Sequence, residues 1–131
     1  ASGAAMTAQA FRLTCHCGAC ELRVVLAHGL GDARRCDCSF CRRRGAMNVS
    51  VREEDLEVVR GDKLSLYQFG TRQAAHYFCV ICGCYTHHRR SSDRSEFGVN
   101  VGGLEGVNPA DLDPVPWLDG VNYNPATEAK L

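Results

Sequence analysis

No net charge marks this chain of 131 residues: Lys and Arg together number 15, and so do Asp and Glu. The totals therefore give no reason to expect nucleic acid or a membrane surface as partner. Nor is there an apolar run near the roughly 20 residues that a membrane-crossing helix needs. No apolar segment of the signal-peptide kind follows the first residues, so a cytoplasmic protein is expected. Sustained helical periodicity and internal repeats are missing as well, and so is any scattered cysteine. All nine cysteines fall in three tight triplets: Cys15-x-Cys17-x-x-Cys20, Cys36-x-Cys38-x-x-Cys41 and Cys79-x-x-Cys82-x-Cys84.

Cysteines two or three positions apart on a turn can aim their sulfurs at one point, and a tetrahedral ion needs four such donors, so distant pairs must combine. Zinc is the first reading. A disulfide framework is disfavoured by the odd count and by the crowding of Cys15 with Cys17. Iron–sulfur or another soft metal is the remaining alternative, because thiolates suit those ions too.

Length predicts one domain. Leu22, Val24 and Leu26 alternate with Glu21, Arg23 and Val25, the period-2 pattern of a half-buried strand. The same pattern recurs over Met47 to Arg52 and Glu96 to Val101, and shorter strand signals cover Leu56 to Val59, Leu64 to Phe69 and Ala75 to Val80. Ser39 to Arg44 is the single helical candidate. Beyond Leu104 the composition shifts to Gly, Asn, Asp and all four prolines, which predicts an irregular tail pinned to the sheets by Trp117, Leu118 and Tyr123.

Cys15 and Cys17 precede one strand and Cys79 and Cys82 follow another, each pair beside a glycine that lets the backbone fold round an ion (Gly18, Gly83). These four make a closed site of the structural kind. Cys36, Cys38 and Cys41 are then left with three sulfurs, the pattern of a catalytic site with one open position. Alternatively Cys20, Cys84, His76, His87 or His88 supplies a fourth ligand. Cys20 and Cys84 are equally well read as small buried hydrophobes. His16 is read as surface, with a hydrogen bond to a ligand as the alternative, and His87-His88 as polar loop surface.

The runs Cys15-His16-Cys17-Gly18-Ala19, Cys36-Asp37-Cys38-Ser39-Phe40-Cys41-Arg42-Arg43 and His76-Tyr77-Phe78-Cys79-Val80-Ile81-Cys82-Gly83 resemble the glutathione-dependent formaldehyde-activating enzyme family, which includes centromere protein V. The likeness continues through Arg89-Arg90-Ser91-Ser92, Phe97-Gly98-Val99-Asn100-Val101 and Leu118-Asp119-Gly120-Val121-Asn122-Tyr123, so a zinc domain over residues 11–124 is expected, with flexible termini at 1–10 and 125–131. The resemblance implies an all-β, Mss4-like fold, a structural zinc on Cys15, Cys17, Cys79 and Cys82, and a catalytic zinc on Cys36, Cys38 and Cys41. Cys20, Cys84 and Tyr123 depart from the family pattern.

It also implies a carbon–sulfur lyase or synthase that joins glutathione and formaldehyde as S-hydroxymethylglutathione. A zinc ion on three thiolates is net negative, so an anionic thiol needs positive charge nearby, and Arg42, Arg43 and Arg44 follow the last ligand directly. They are the candidate substrate contacts, with a solvated basic turn as the alternative. The rival function is a non-enzymatic zinc module for a protein or nucleic-acid partner.

Overall fold

The computed structural model describes residues 8–70, 72, 74–90, 93 and 95–121. Strands β1 (Gln9–Thr14) and β2 (Glu21–Leu26) form a hairpin, and β5 (Leu56–Arg60) pairs with the other edge of β2. A second sheet has five strands in the order β4 (Asn48–Arg52), β9 (Glu96–Asn100), β8 (Tyr85–Arg89), β7 (Ala75–Cys79) and β6 (Leu64–Tyr67). Both sheets are antiparallel throughout. A short parallel pair joins β3 (Arg35–Cys36) to β10 (Trp117–Leu118). The fold is all-β, and the one α-helix among the described residues, α1 (Cys41–Arg44), is a single turn.

Period-2 patterning places the core. Leu22, Val24 and Leu26 point inward from β2 while Glu21 and Arg23 point out, and they meet Val49, Val51, Phe97 and Val99 from β4 and β9. Burying each such side chain contributes about 1.5–3 kcal/mol. On the outer face Glu21 lies between Arg12 of β1 and Arg60 of β5, so cross-strand ion pairs finish the three-stranded sheet.

Four strands escape the sequence reading, the two-residue β3 and β10 and the longer β1 and β8. β1 begins inside the segment expected to be a flexible terminus, and β8, with the sequence YTHHR, lies in the middle of the five-stranded sheet. Its histidines look like loop by composition but are internally paired. His87 Nδ1 lies 2.8 Å from Thr86 Oγ1 and His88 Nδ1 2.6 Å from Tyr85 Oη, so a polar strand can be buried without stranding its donors.

The expected helix shortens from Ser39–Arg44 to Cys41–Arg44, stopped by Gly45 at φ 71°, a left-handed conformation that suits glycine. The tail corrects a second expectation. The side chains of Trp117 and Leu118 are exposed, at 59% and 44%, so this segment is held by its backbone pairing with β3, and Leu112 and Val115 pack on the core in their place. Tyr123, residues 122–131 and Ser91-Ser92 lie outside the described residues.

Candidate metal centres and the adjoining cavity

The hairpin turn between β1 and β2 carries Cys15 and Cys17, and the end of β7 with its following turn carries Cys79 and Cys82. The four sulfurs lie within 4.8 Å of one another. Cys17 Sγ is 3.6 Å from Cys15 Sγ and 3.7 Å from Cys79 Sγ. A tetrahedral ion about 2.3 Å from each sulfur has a ligand-to-ligand edge of about 3.8 Å, so the sulfurs stand at the spacing such an ion needs. Backbone amides point at them. Cys20 N donates to Cys15 Sγ and Ile81 N to Cys79 Sγ, both at 3.3 Å. The amides of Cys17 and Cys84 push the Cys82 thiol down to about 5, the direction that favours a ligand thiolate. Gly18 (φ 82°) and Gly83 (φ 77°) turn the two loops.

The second group is Cys36 at the end of β3, Cys38, and Cys41 at the start of α1, again with sulfurs within 4.8 Å of one another. Cys41 N donates to Cys38 Sγ at 3.2 Å. Hydrogen bonds from Cys36 and Cys41 hold the Cys38 thiol far below its usual range. Asp37, between two of the sulfurs, accepts hydrogen bonds from Gly120 N at 2.7 Å and Val121 N at 3.1 Å, which seats the tail over the group. Gly120 fits there only because it lacks a side chain: a Cβ would lie 2.6 Å from Cys36 Sγ and 2.7 Å from Cys38 N. The backbone thus wraps the three sulfurs as a cradle for an ion.

None of Cys20, Cys84, His76, His87 and His88 belongs to either group. Cys20 is fully buried beside Cys15 and Cys79, and burial pushes its thiol up to about 12; burial likewise raises Cys84. Both pack as hydrophobes. His16 is exposed on its turn.

The three arginines after Cys41 separate sharply. Positions three apart on a helix share a face, so Arg44 returns to the side of Cys41, while Arg42 and Arg43 are exposed and Arg43 closes on Ser39 O. Arg44 Nη2 donates to Cys41 Sγ at 3.7 Å, and Nη1 donates to His76 Nδ1 at 3.1 Å. Its guanidinium carbon lies 3.6 Å from the centre of the Tyr85 ring and 4.7 Å from that of Phe40. Nε is enclosed without a partner. Arg44 therefore holds its charge between two π faces and a sulfur.

Beside Arg44 opens a cavity of about 640 Å³, walled by Phe40, Tyr67, His76, Phe78 and Tyr85 among others. Phe40, Phe69 and His76 cluster there with ring centres 4.5 to 5.8 Å apart. Burial, and then the charge of Arg44, pushes the His76 imidazole down to about 4, so it is neutral at pH 7. Behind the wall Tyr85 Oη donates to Asn48 Oδ1 at 2.5 Å. Phe40, Asp37, Gly120 and Tyr85 had no assigned role in the sequence. The available signal was position, since Asp37 and Phe40 both fall between cysteines of the second group.

Comparison with known proteins agrees with this geometry. The crystal structure of a Rhodobacter sphaeroides protein from a structural genomics programme superposes with a TM-score of 0.80 at 63% identity, covering 82% of this chain and 99% of that one. A Halomonas elongata protein, provisionally named a glutathione-dependent formaldehyde-activating enzyme, is 35% identical over 78 residues. That match takes in 53% of this chain and 49% of the relative, so the chain aligns with about half of the curated relative's length. The family model described as glutathione-dependent formaldehyde-activating enzyme matches residues 7–116. With both cysteine groups inside that span, the chain belongs to the glutathione-dependent formaldehyde-activating enzyme family.

Proposed function

We propose that each cysteine group holds one zinc ion, two per chain, and that the protein is a carbon–sulfur lyase or synthase forming or cleaving S-hydroxymethylglutathione from glutathione and formaldehyde. One observation carries this reading: four sulfurs converge at one group and three at the other, and the incomplete one adjoins the cavity through Phe40 and Arg44. Four cysteines fill a tetrahedron and serve stability, whereas three leave a position for exchange. Zinc held by Cys36, Cys38 and Cys41 would supply a Lewis acid that favours thiolate over thiol at neutral pH.

The other contributions come from the chain itself. A cavity of about 640 Å³ lies in the size range of small-molecule sites and suits a tripeptide thiol far better than a one-carbon aldehyde alone. Arg44 is the arginine turned toward the sulfurs and the cavity, so it is the one placed to attract an anionic thiol. In the addition, sulfur forms a bond to the aldehyde carbon, the carbonyl π pair moves to oxygen, and the thiol proton ends on that oxygen; cleavage is the reverse. Holding the two reactants together supplies the rest of the rate gain. Both groups need reduced sulfur, which fits a compartment such as the cytoplasm.

Metal analysis should find two zinc ions per chain, and X-ray absorption should find four cysteine sulfurs at one and three at the other. Four protein ligands at both ions, unchanged by added glutathione, would replace the enzyme with a non-catalytic zinc module.

A further inference from the structure

Arg44 fixes more than charge. A guanidinium has only donors and keeps its proton at any physiological pH, so its 3.1 Å contact with His76 Nδ1 makes Nδ1 an acceptor. A neutral imidazole then carries its proton on Nε2. No hydrogen bond joins Nε2 to another described residue, and among the described residues the one fully enclosed side-chain nitrogen or oxygen without a partner is Arg44 Nε. His76 lines the cavity, so its Nε2–H is left to whatever occupies that space. The ring cannot swing away easily. It is held in the cluster of Phe40, Phe69 and His88, at centroid distances of 4.5, 5.8 and 5.2 Å.

His88 is itself fixed. Its Nδ1 is 2.6 Å from Tyr85 Oη, and a Cβ on Gly98 would come within 2.4 Å of its ring. A donor with a set tautomer therefore belongs to the wall of the cavity, on a ring whose Nδ1 lies one guanidinium's width from the Cys41 sulfur.

We propose that His76 Nε2–H binds the aldehyde oxygen and stabilises the negative charge that gathers there as sulfur adds to carbon. This rests on the reaction proposed above. As the carbon–sulfur bond forms, the π pair of the carbonyl moves to oxygen, which takes from water the proton that the thiol released. His76 keeps its own proton throughout. A neutral imidazole is suited to this, because it polarises a carbonyl by hydrogen bonding without having to lose and regain a proton.

The test compares His76→Gln, whose amide nitrogen reaches the place of Nε2, with His76→Asn, whose amide reaches only the place of Nδ1, and His76→Phe, which keeps the aromatic packing and has no donor. Zinc-loaded proteins are assayed for S-hydroxymethylglutathione formation, with glutathione Kd by calorimetry and folding by circular dichroism. Asn and Phe should lower kcat by about 10²–10³, the usual loss of one oxyanion donor, with Kd within threefold, while Gln stays within tenfold of wild type. Independently, long-range proton–nitrogen spectra of the wild type at pH 7 should show His76 protonated on Nε2 alone. An Asn or Phe variant with unchanged kcat, a loss of kcat matched by the same loss of binding, or a proton on Nδ1 overturns the role of His76 and leaves the reaction standing. A wild type that does not turn over glutathione with formaldehyde removes the reaction, and this role with it.

Discussion

A single methyl group tests the second cysteine group. The Cβ of a Gly120→Ala variant would meet Cys38 N at 2.7 Å, and a backbone atom cannot move aside as a flexible side chain can. The displaced loop would carry away the Gly120 and Val121 amides that hold Asp37 between its two cysteines. Zinc content should fall from two ions per chain to about one, with a small change in melting temperature. Two ions retained at wild-type affinity would mean that the cradle does not shape the site. The cysteines themselves were legible because ligand spacing is local and chemically strict. Gly120 and Asp37 were not, because the residues they serve or meet lie more than 80 positions away. His76 was legible only as a possible ligand, since its partner, Arg44, lies 32 positions away on α1 and meets it only once the helix packs against β7.

The short helix α1 decides which arginine matters. A single turn places Cys41 and Arg44 on one side, and only Arg44 contacts sulfur, histidine and the aromatic wall. Arg44→Ala should weaken glutathione binding by roughly 1.5–3 kcal/mol, the size of a charge-assisted hydrogen bond, while Arg42→Ala and Arg43→Ala should each change it by less than about 0.5 kcal/mol. Titration calorimetry with glutathione and a small neutral thiol checks this, because the neutral thiol should hardly respond. Equal losses across the three variants would show that the arginines act only through their summed field. Sequence patterning found α1 and the strands β2, β4, β5, β6, β7 and β9. It passed over β8, where the buried side chains are histidine, threonine and tyrosine held by internal hydrogen bonds. It also took Trp117 for an anchor, because hydrophobicity alone does not show that β10 lies exposed beside β3.

At the scale of the molecule the four-cysteine group joins what strand pairing leaves separate. Cys15 and Cys17 belong to the hairpin of the three-stranded sheet, and Cys79 and Cys82 to the edge region of the five-stranded one, 62 residues further on from Cys17 to Cys79. The aliphatic core between the sheets is gathered from β2, β4 and β9, whereas the buried cluster near β7 consists largely of cysteines. An ion there would take over the work of side-chain packing and close a long loop, so its binding energy becomes folding energy. Small zinc modules gain on the order of 10 kcal/mol in this way, as much as the whole stability of many domains. Cys79→Ser should therefore abolish cooperative thermal unfolding. Cys38→Ser should lose one zinc ion and all turnover while melting close to wild type, because the second group caps a loop and does not join the sheets. Circular dichroism melts beside metal analysis separate the two cases. A Cys79→Ser protein that keeps both ions and its melting temperature would show that hydrophobic packing alone holds the sheets together.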